Sequence, residues 1–512
     1  MFHGCGVAGS EMSRREAYRQ SALGIAEYLA ARQQPDGGFP GPDNYGVAFA
    51  FWLWSYFGAQ FRSNAERALR RMDRAFPPTH GEFNAYALLH CRSLSESPET
   101  EALLRRVRLG RRHSANWMLL RAFCRAAAGS WGGGARGAVE ARAAVARHRR
   151  RGLICDRPGV RSFGYHAFCG ALLADLWARR RDRWAGRAAA QAAQFLLPFV
   201  LPNGDTLYLG RGQEQIFGYG ALVYLLETAA AMTGESGFRA AAGRVFGYLL
   251  RFRRADGSFP LVLREGEEEE PWSPGASRAG WYGYNRYADY LPFLGCFLLK
   301  AAEAGPARLP EALSETAHPD LRVWRGLRYT AVLSRPGGPP TNDLSFPYVC
   351  AAGESLFPCY GGEDAGAADA VPLPWGVLAG GDCYGFGRRL RYRLTDAAVI
   401  GDSRLVHHTR SFSFQPDGFT CRDVIVFRRR PSFSRFVSAN FLFRDLRPLA
   451  SGAFESRCRG ASAVVRMDPP GAVHADAAET ASGRLVALRR EVSPGSIRPG
   501  QEIASELRVA FP

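Results

Sequence analysis

The pentapeptide Asp36-Gly37-Gly38-Phe39-Pro40 recurs as Asp256-Gly257-Ser258-Phe259-Pro260, with Pro202-Asn203-Gly204-Asp205 as a degenerate third copy. Glycine after Asp or Asn supplies the positive φ of a tight turn, and the Phe-Pro returns the chain to apolar surface. Each copy lies between stretches with apolar residues at helical spacing. Helix, turn and helix repeated this way give hairpins whose apolar faces stack on their neighbours. The pattern predicts an (α/α) toroid, or an incomplete barrel of helical hairpins.

Working outward, Ser13 with Glu16 three positions on reads as a capping box. Ala17, Ser21, Ile25, Ala26 and Leu29 follow at helical spacing. Residues 1–12 are then expected as a disordered tail. Further helices are expected at about 45–58, 61–74, 82–93, 97–107, 114–128, 136–150, 163–180, 184–199, 213–233, 236–254 and 284–304. Glu265–Pro274 (EGEEEEPWSP) is an acidic loop, and 305–320, with Gly305-Pro306 and His318-Pro319, reads as a linker. Beyond it the rhythm changes to period two, in Leu321–Leu333 (LRVWRGLRYTAVL), Arg389–Leu394 (RLRYRL), His408–Phe414 (HTRSFSF) and Val424–Phe427 (VIVF). Pro416-Asp417-Gly418 is a hairpin turn between two such strands. The fold class expected is therefore α+β and multidomain. A toroid over 13–304 is joined by the linker to an antiparallel β-sandwich over 321–512.

Composition narrows the function. The 512 residues are 46% hydrophobic and 22% charged, enough to bury large cores. No apolar run is seen that approaches the ~18–20 residues needed to cross a bilayer, so no integral membrane segment is expected. The net charge is +18, and Lys300 is the single lysine, so arginine carries nearly all the positive charge. A surplus of arginine suits a polyanionic partner, because its planar fork clamps carboxylates. No zinc-finger spacing, RNP aromatic pattern or basic heptad region accompanies it, which turns the reading from nucleic acid toward an acidic polysaccharide. Eleven cysteines without a CxxC pair read as free thiols. The N-terminus has no secretory pattern, so a cytoplasmic location is expected, or a periplasmic or secreted one if translation starts elsewhere. Oligomeric state leaves no mark on the sequence.

Polar and aromatic groups crowd the mouths of predicted helices: Asn116-Trp117, Tyr165-His166, Arg211 through Tyr219 with Gln213 and Glu214 between, and Trp281 through Tyr287 with Tyr282, Tyr284, Asn285 and Arg286. If inner helices of a toroid begin on one face, these segments meet in one cleft. The inventory suits β-elimination at a uronic acid. Removing the C5 proton builds charge on the C6 carboxylate, which Asn or Arg donors stabilise while Tyr or His moves the protons.

A helical half followed by a β-sandwich, with helix-mouth Asn-Trp, Tyr-His and Tyr-rich motifs, resembles the (α/α)-toroid polysaccharide lyases of the heparinase II/III-like superfamily. The resemblance implies a lyase acting on a uronate-containing polysaccharide, without a cofactor. By it Asn116 and Arg211 would neutralise the carboxylate, and His166 with Tyr219 or Tyr284 would transfer protons. Trp117, Tyr165, Gln213, Glu214, Trp281, Tyr282, Asn285 and Arg286 would line the substrate site. A β-domain histidine, His407 or His408, would reach the cleft; adjacent on one strand, they face opposite ways, so at most one can. No metal site is expected, since no HxH or HxxxH pair exists.

Plainer roles stay open. Asn116 can cap its helix, His166 can be a packing histidine, Tyr219 can be core, and Arg211 with Glu214 can form a structural salt bridge. The same inventory also fits a glycoside hydrolase, for which Glu214, Asp205 and Asp289 are available carboxylates, or a uronyl C5-epimerase. A non-catalytic exopolysaccharide-binding protein is the remaining alternative.

Overall fold

The computed structural model describes residues 5–512 apart from 42, 96, 129–132, 264–285, 306–317, 338–343, 357–370, 451, 459, 469–472 and 481–482. In chain order the helices are α1 (Cys5–Arg32), α2 (Gly46–Phe57), α3 (Arg62–Arg74), α4 (Gly81–Leu94), α5 (Pro98–Arg106) and α6 (Ala115–Ala127). They continue with α7 (Gly133–His148), α8 (Phe163–Arg180), α9 (Arg183–Leu196), α10 (Ile216–Thr233), α11 (Ser236–Leu250) and α12 (Tyr287–Glu303). The expected acidic loop lies outside the described residues, as does most of the linker. Helix α1 already runs at Ser13, so the capping box read there is not its start; no proline precedes it to stop the helix.

Composition assigns the helices to two layers. The segments GVAFAFWLWSYF of α2 and IFGYGALVYLLETAAAMT of α10 are apolar on almost every side, and such helices are satisfied only when surrounded. RSNAERALRRMDR of α3 buries only Asn64, Ala68 and Met72, one face at a spacing of four, and lies outside. The even-numbered helices form the inner ring. Each packs on the next from α2 to α12, and α12 returns to α2. The ring is a closed toroid rather than an incomplete barrel. At the closure Gly46 is obligatory, because a Cβ there would stand 2.0 Å from the Ala288 carbonyl oxygen. From α12, Asp289 Oδ1 accepts the backbone N–H groups of Asn44, Tyr45 and Gly46 at 2.8–2.9 Å, capping α2 from across the seam.

The three copies of the turn are built alike. Gly37, Gly204 and Gly257 have φ of 93°, 92° and 84°. In each, the residue three before the glycine (Gln34, Leu201 or Arg254) accepts the glycine N–H at its carbonyl and donates its own N–H to the carbonyl of the residue after the glycine (Gly38, Asp205 or Ser258). The side chains of Asp36, Asn203 and Asp256 accept the backbone N–H two residues on. By length and composition Ile216–Thr233 could cross a membrane, which the sequence reading did not anticipate, but 89% of it is buried in the ring. Its apolar perimeter is the signature of the toroid core.

The second half is antiparallel β, in sheets of eight, five and four strands among the described residues. The expected hairpin is present: Val406–Gln415 pairs with Gly418–Phe427, with Gln415 opposite Gly418. All three sheets contribute to one core that includes Leu333, Val349, Phe419, Ile425, Phe441 and Val509. Strand Tyr329–Ser334 is buried on both faces, sending Ala331 and Leu333 into that core and Val332 into the core of the toroid. The four-stranded sheet thus carries the β half onto the helices. Tyr348 and Ser355 each donate a hydroxyl to Asp205 Oδ2 at 2.7 Å, and Arg251 pairs with Glu354.

Candidate functional site

Since every inner helix is preceded by an outer one that carries the chain back, all six inner helices start on the same mouth of the toroid. There a cavity of about 270 Å³ is lined from each of them, by Tyr45, His80, Asn116, Tyr165, Arg211 and Asp289 among others. A second cavity of about 310 Å³ shares Arg112, Asn116, Trp117, Arg157, Tyr165 and Arg211 with it and adds His113, Ser114 and Asp156. Below, the axis is filled by Phe168, Phe217 and Phe293, with ring centroids 5.2–6.3 Å apart.

Asn116 does not cap its helix. Ser114 holds the N-cap position of α6, and its hydroxyl donates to Asn116 Oδ1 at 2.8 Å. That bond turns the amide so that Nδ2, which donates to no described residue, is left for a ligand. Arg211 arrives on the turn before α10. It donates to Asp156 Oδ2 at 2.7 Å, and its guanidinium carbon lies 5.2 Å from the centre of the Tyr165 ring. Tyr165 is placed by the first turn of α8, where Ser162 Oγ accepts its backbone N–H at 3.1 Å. Arg112 lies 4.4 Å above the Trp117 ring.

His80 was not singled out from the sequence. It holds the N-cap position of α4 in a left-handed conformation, φ 59°, with its ring 5.2 Å from Trp117 and 5.7 Å from Tyr45. A non-glycine residue there stores strain and commonly marks a functional position. Burial, with Arg112 nearby, lowers its pKa to about 4, so the ring is neutral at pH 7. Tyr45, Arg112, Arg157 and Asp156 were also missed as parts of the cleft, whereas the sequence reading includes Asp289 as an available carboxylate. The signal for Tyr45 and His80 was the same helix-mouth position that marked Asn116. Asp289 is committed to its cap: besides the three backbone groups it accepts Asn44 Nδ2 at 2.8 Å. Burial raises its pKa to about 6, against those hydrogen bonds.

Several expected site residues lie elsewhere. His166 is fully buried between α8 and α9. Nδ1 accepts the Ile154 N–H at 2.8 Å, Nε2 faces the Ala192 carbonyl at 3.0 Å, and burial lowers its pKa to about 4. It is a satisfied packing histidine, and the proton-transfer role read for it is withdrawn. Tyr219 is also sealed, its hydroxyl donating to Asp205 Oδ1 and Glu214 Oε2 at 3.0 and 2.9 Å, and burial drives its pKa well above 10. With Glu214 and Asp205 it belongs to the seam with the β half, and Gln213 is buried beside them. Glu214 is hydrogen-bonded within this network, and the salt bridge of Arg211 is made to Asp156 instead. Arg286 holds the N-cap position of α12 and does not line either cavity.

His408 faces inward, as strand alternation requires of one of the pair, but into the sandwich. It bonds Tyr392 and Asp423 at 2.8 and 2.9 Å, and Arg410 forks onto the same Asp423. His407 faces outward and pairs with Asp402. Neither lines the cleft. Tyr284, Trp281, Tyr282 and Asn285 lie outside the described residues. Among the described residues no group of three or more His, Cys, Asp or Glu could hold a metal ion.

No family model matches the chain, and no curated protein does. Solved structures do. Heparinase III aligns over 97% of this chain and 85% of its own, with a TM-score of 0.51 and 11% identity. A chondroitin AC lyase from Streptomyces coelicolor A3, solved in complex with chondroitin sulphate, aligns over 98% and 79%, with a TM-score of 0.52 and 12% identity. The fold is shared with these two lyases. A sugar epimerase from a ruminal bacterium covers 57% of this chain and 99% of its own at a TM-score of 0.45 and 12% identity. The two whole-chain alignments span toroid and sandwich together, so the resemblance read from the sequence holds at the level of the fold.

Proposed function

We propose that the chain is a polysaccharide lyase that cleaves a uronate-containing polymer by β-elimination. The observation that carries this is the meeting of Asn116, Arg211, Tyr165, Trp117 and His80 at one mouth of the ring. The uronate carboxylate would take the amide of Asn116 and the guanidinium of Arg211. Those donors hold the enediolate formed as the C5 proton leaves. The electron pair then forms the C4–C5 double bond, the C4–O bond breaks, and the departing oxygen takes a proton. Of the Tyr and His side chains lining the cavities, Tyr165 and His80 are assigned the two transfers. An arriving carboxylate would strengthen His80 as a base, against the burial and the Arg112 charge that hold it neutral. Heparinase III and chondroitin AC lyase share the fold, which supports the same reading.

A hydrolase needs two free carboxylates. The two in the cavities, Asp156 and Asp289, are taken by Arg211 and by the α2 cap. The test is incubation with acidic glycans, reading unsaturated uronyl ends by ultraviolet absorbance. Asn116→Ala and Tyr165→Phe should lose the signal while melting like the parent. New reducing ends without unsaturation, or full activity in both variants, would overturn the proposal.

A further inference from the structure

The far mouth of the toroid, where the inner helices end, holds a separate cavity of about 400 Å³. Helices α2, α4, α8, α10 and α12 all line it, and it shares no lining residue with the two cavities of the cleft. On its wall the imidazole of His90 stacks on Trp52 and Phe123, with centroids 4.4 and 5.3 Å apart and planes within 11° of parallel. Its Nε2 is buried and meets no hydrogen-bond partner among the described residues. Burial and the charge of Lys300 hold its pKa well below the usual histidine value, so the ring is neutral at pH 7. A phenylalanine would fill the same stack, so the nitrogens are what histidine adds. Buried polar atoms are nearly always satisfied, and one left open beside a cavity calls for a group that enters from outside.

Lys300 leaves a second polar group open on the same cavity. Its ammonium donates to Asp175 Oδ2 and to the Tyr86 hydroxyl, both at 2.5 Å, and lies 4.2 and 4.4 Å from the centres of the Tyr224 and Phe297 rings. An ammonium has three N–H groups, and the third finds no hydrogen-bond acceptor among the described residues. The charges of the lining balance, Asp175 and Glu303 against Lys300 and Arg181. Helix C-termini oppose an anion there, while Lys300 and Arg181 oppose a cation. Trp52, Trp177 and Tyr224 make the wall aromatic between these groups.

We infer that this cavity binds a neutral, hydroxyl-rich ligand the size of a single hexopyranose, at the mouth opposite the cleft. A sugar hydroxyl can accept from Lys300 and exchange a hydrogen bond with His90, and the C–H face of a pyranose packs on aromatic wall. The inference stands apart from the lyase reading, because none of these residues takes part in the proposed elimination.

The experiment is calorimetric titration of the full chain with glucose, galactose and mannose, and with glucuronate and glucosamine as charged counterparts. The parent is compared with His90→Phe, Ala178→Arg and Asn116→Ala. Ala178 stands at the exposed rim of the cavity near the end of α8, where an arginine suits the helix C-terminus and would close the entrance. At least one neutral hexose should bind the parent with a Kd of about 1 mM, roughly fivefold or more tighter than either charged sugar. His90→Phe and Ala178→Arg should each weaken that binding about tenfold or more, and Asn116→Ala should leave it unchanged. Melting curves identify the folded variants, and should His90→Phe not fold, Ala178→Arg decides. Absence of hexose binding would mean that the cavity holds water only and overturns the inference. Tighter binding of a charged sugar overturns it too, as does hexose binding that survives in either folded far-mouth variant or is lost in Asn116→Ala.

Discussion

Arg211→Gln tests the cleft at its most loaded contact. Arg211 and Asp156 are 12% and 1% exposed and 2.7 Å apart, so their charges meet largely out of water. At an effective dielectric constant near 20, unit charges about 4 Å apart attract by about 4 kcal/mol. Removing one member of a buried pair costs roughly 3–5 kcal/mol, because the other charge is stranded. For a domain of this size that is a fall of about 6–10 °C in melting temperature, at roughly 2 °C per kcal/mol. The pH dependence follows from Asp156. Burial raises its pKa above the usual carboxylate value, and Arg211 opposes the rise. A carboxyl with a raised folded pKa binds more protons folded than unfolded, so stability falls as pH climbs from about 4 toward that pKa. Without Arg211 the pKa rises further and the fall deepens. The gap between variant and parent should therefore be small at pH 4 and full at pH 7. Catalysis should fall roughly 10²–10³-fold per folded molecule, the usual effect of losing one oxyanion donor. Thermal melts from pH 4 to 8 and turnover below the melting range check both. A melting shift under 2 °C at pH 7 would mean that the pair is solvated, worth at most about 1 kcal/mol, and the reasoning would fail.

Two further outcomes follow from contacts away from the cleft. His166→Ala should lower the melting temperature, since it strands the buried Ile154 N–H at about 1–3 kcal/mol and empties a packed site. It should nonetheless keep kcat/KM within about threefold of the parent; lost turnover with an unchanged melt would return the residue to the chemistry. Asp175 accepts Lys300 at 2.5 Å and the hydroxyls of Tyr86 and Tyr224, all buried. Asp175→Asn should cost about 3–5 kcal/mol by the same stranding, and adding Lys300→Met should recover at least 1 kcal/mol of it in a double-mutant cycle of thermal melts.

The fold was legible because each layer writes its own pattern. All-round apolar helices, one-faced helices, Asp-Gly turns and period-two strands appear in sequence as they do in space. The site was legible only in part, because a helix mouth fixes a residue's height along the ring and not its direction. Tyr165 and His166 are neighbours at the start of α8, yet about 100° of helix rotation sends one into the cleft and the other beneath α9. Arg211 and Tyr219 divide likewise, one on the approach to α10 and the other a turn inside it, facing the β half. Which side of each helix is inward depends on the ring's closure through Gly46 and Asp289, a contact between residues far apart in the chain that no local pattern records.

If the substrate is the acidic polymer proposed, closure also bears on which end of the ring would serve it. Inner helices that all run one way bring their N-termini to one mouth and their C-termini to the other, each end carrying about half a unit charge of opposite sign. At the N-terminal mouth the carboxylates cancel little of that field for a ligand, since Asp289 is spent on the α2 cap and Asp156 on Arg211. At the C-terminal mouth a cavity of about 400 Å³ holds Asp175 and Glu303, with the chain's single lysine drawn in against Asp175. An anion approaching there meets helix C-termini and Glu303, with Arg181 also in the lining, while at the other end it meets helix N-termini, Arg112, Arg157 and the amide of Asn116. On the proposed reading, the direction of the chain through the ring, more than any single residue, favours the N-terminal mouth for a polyanion.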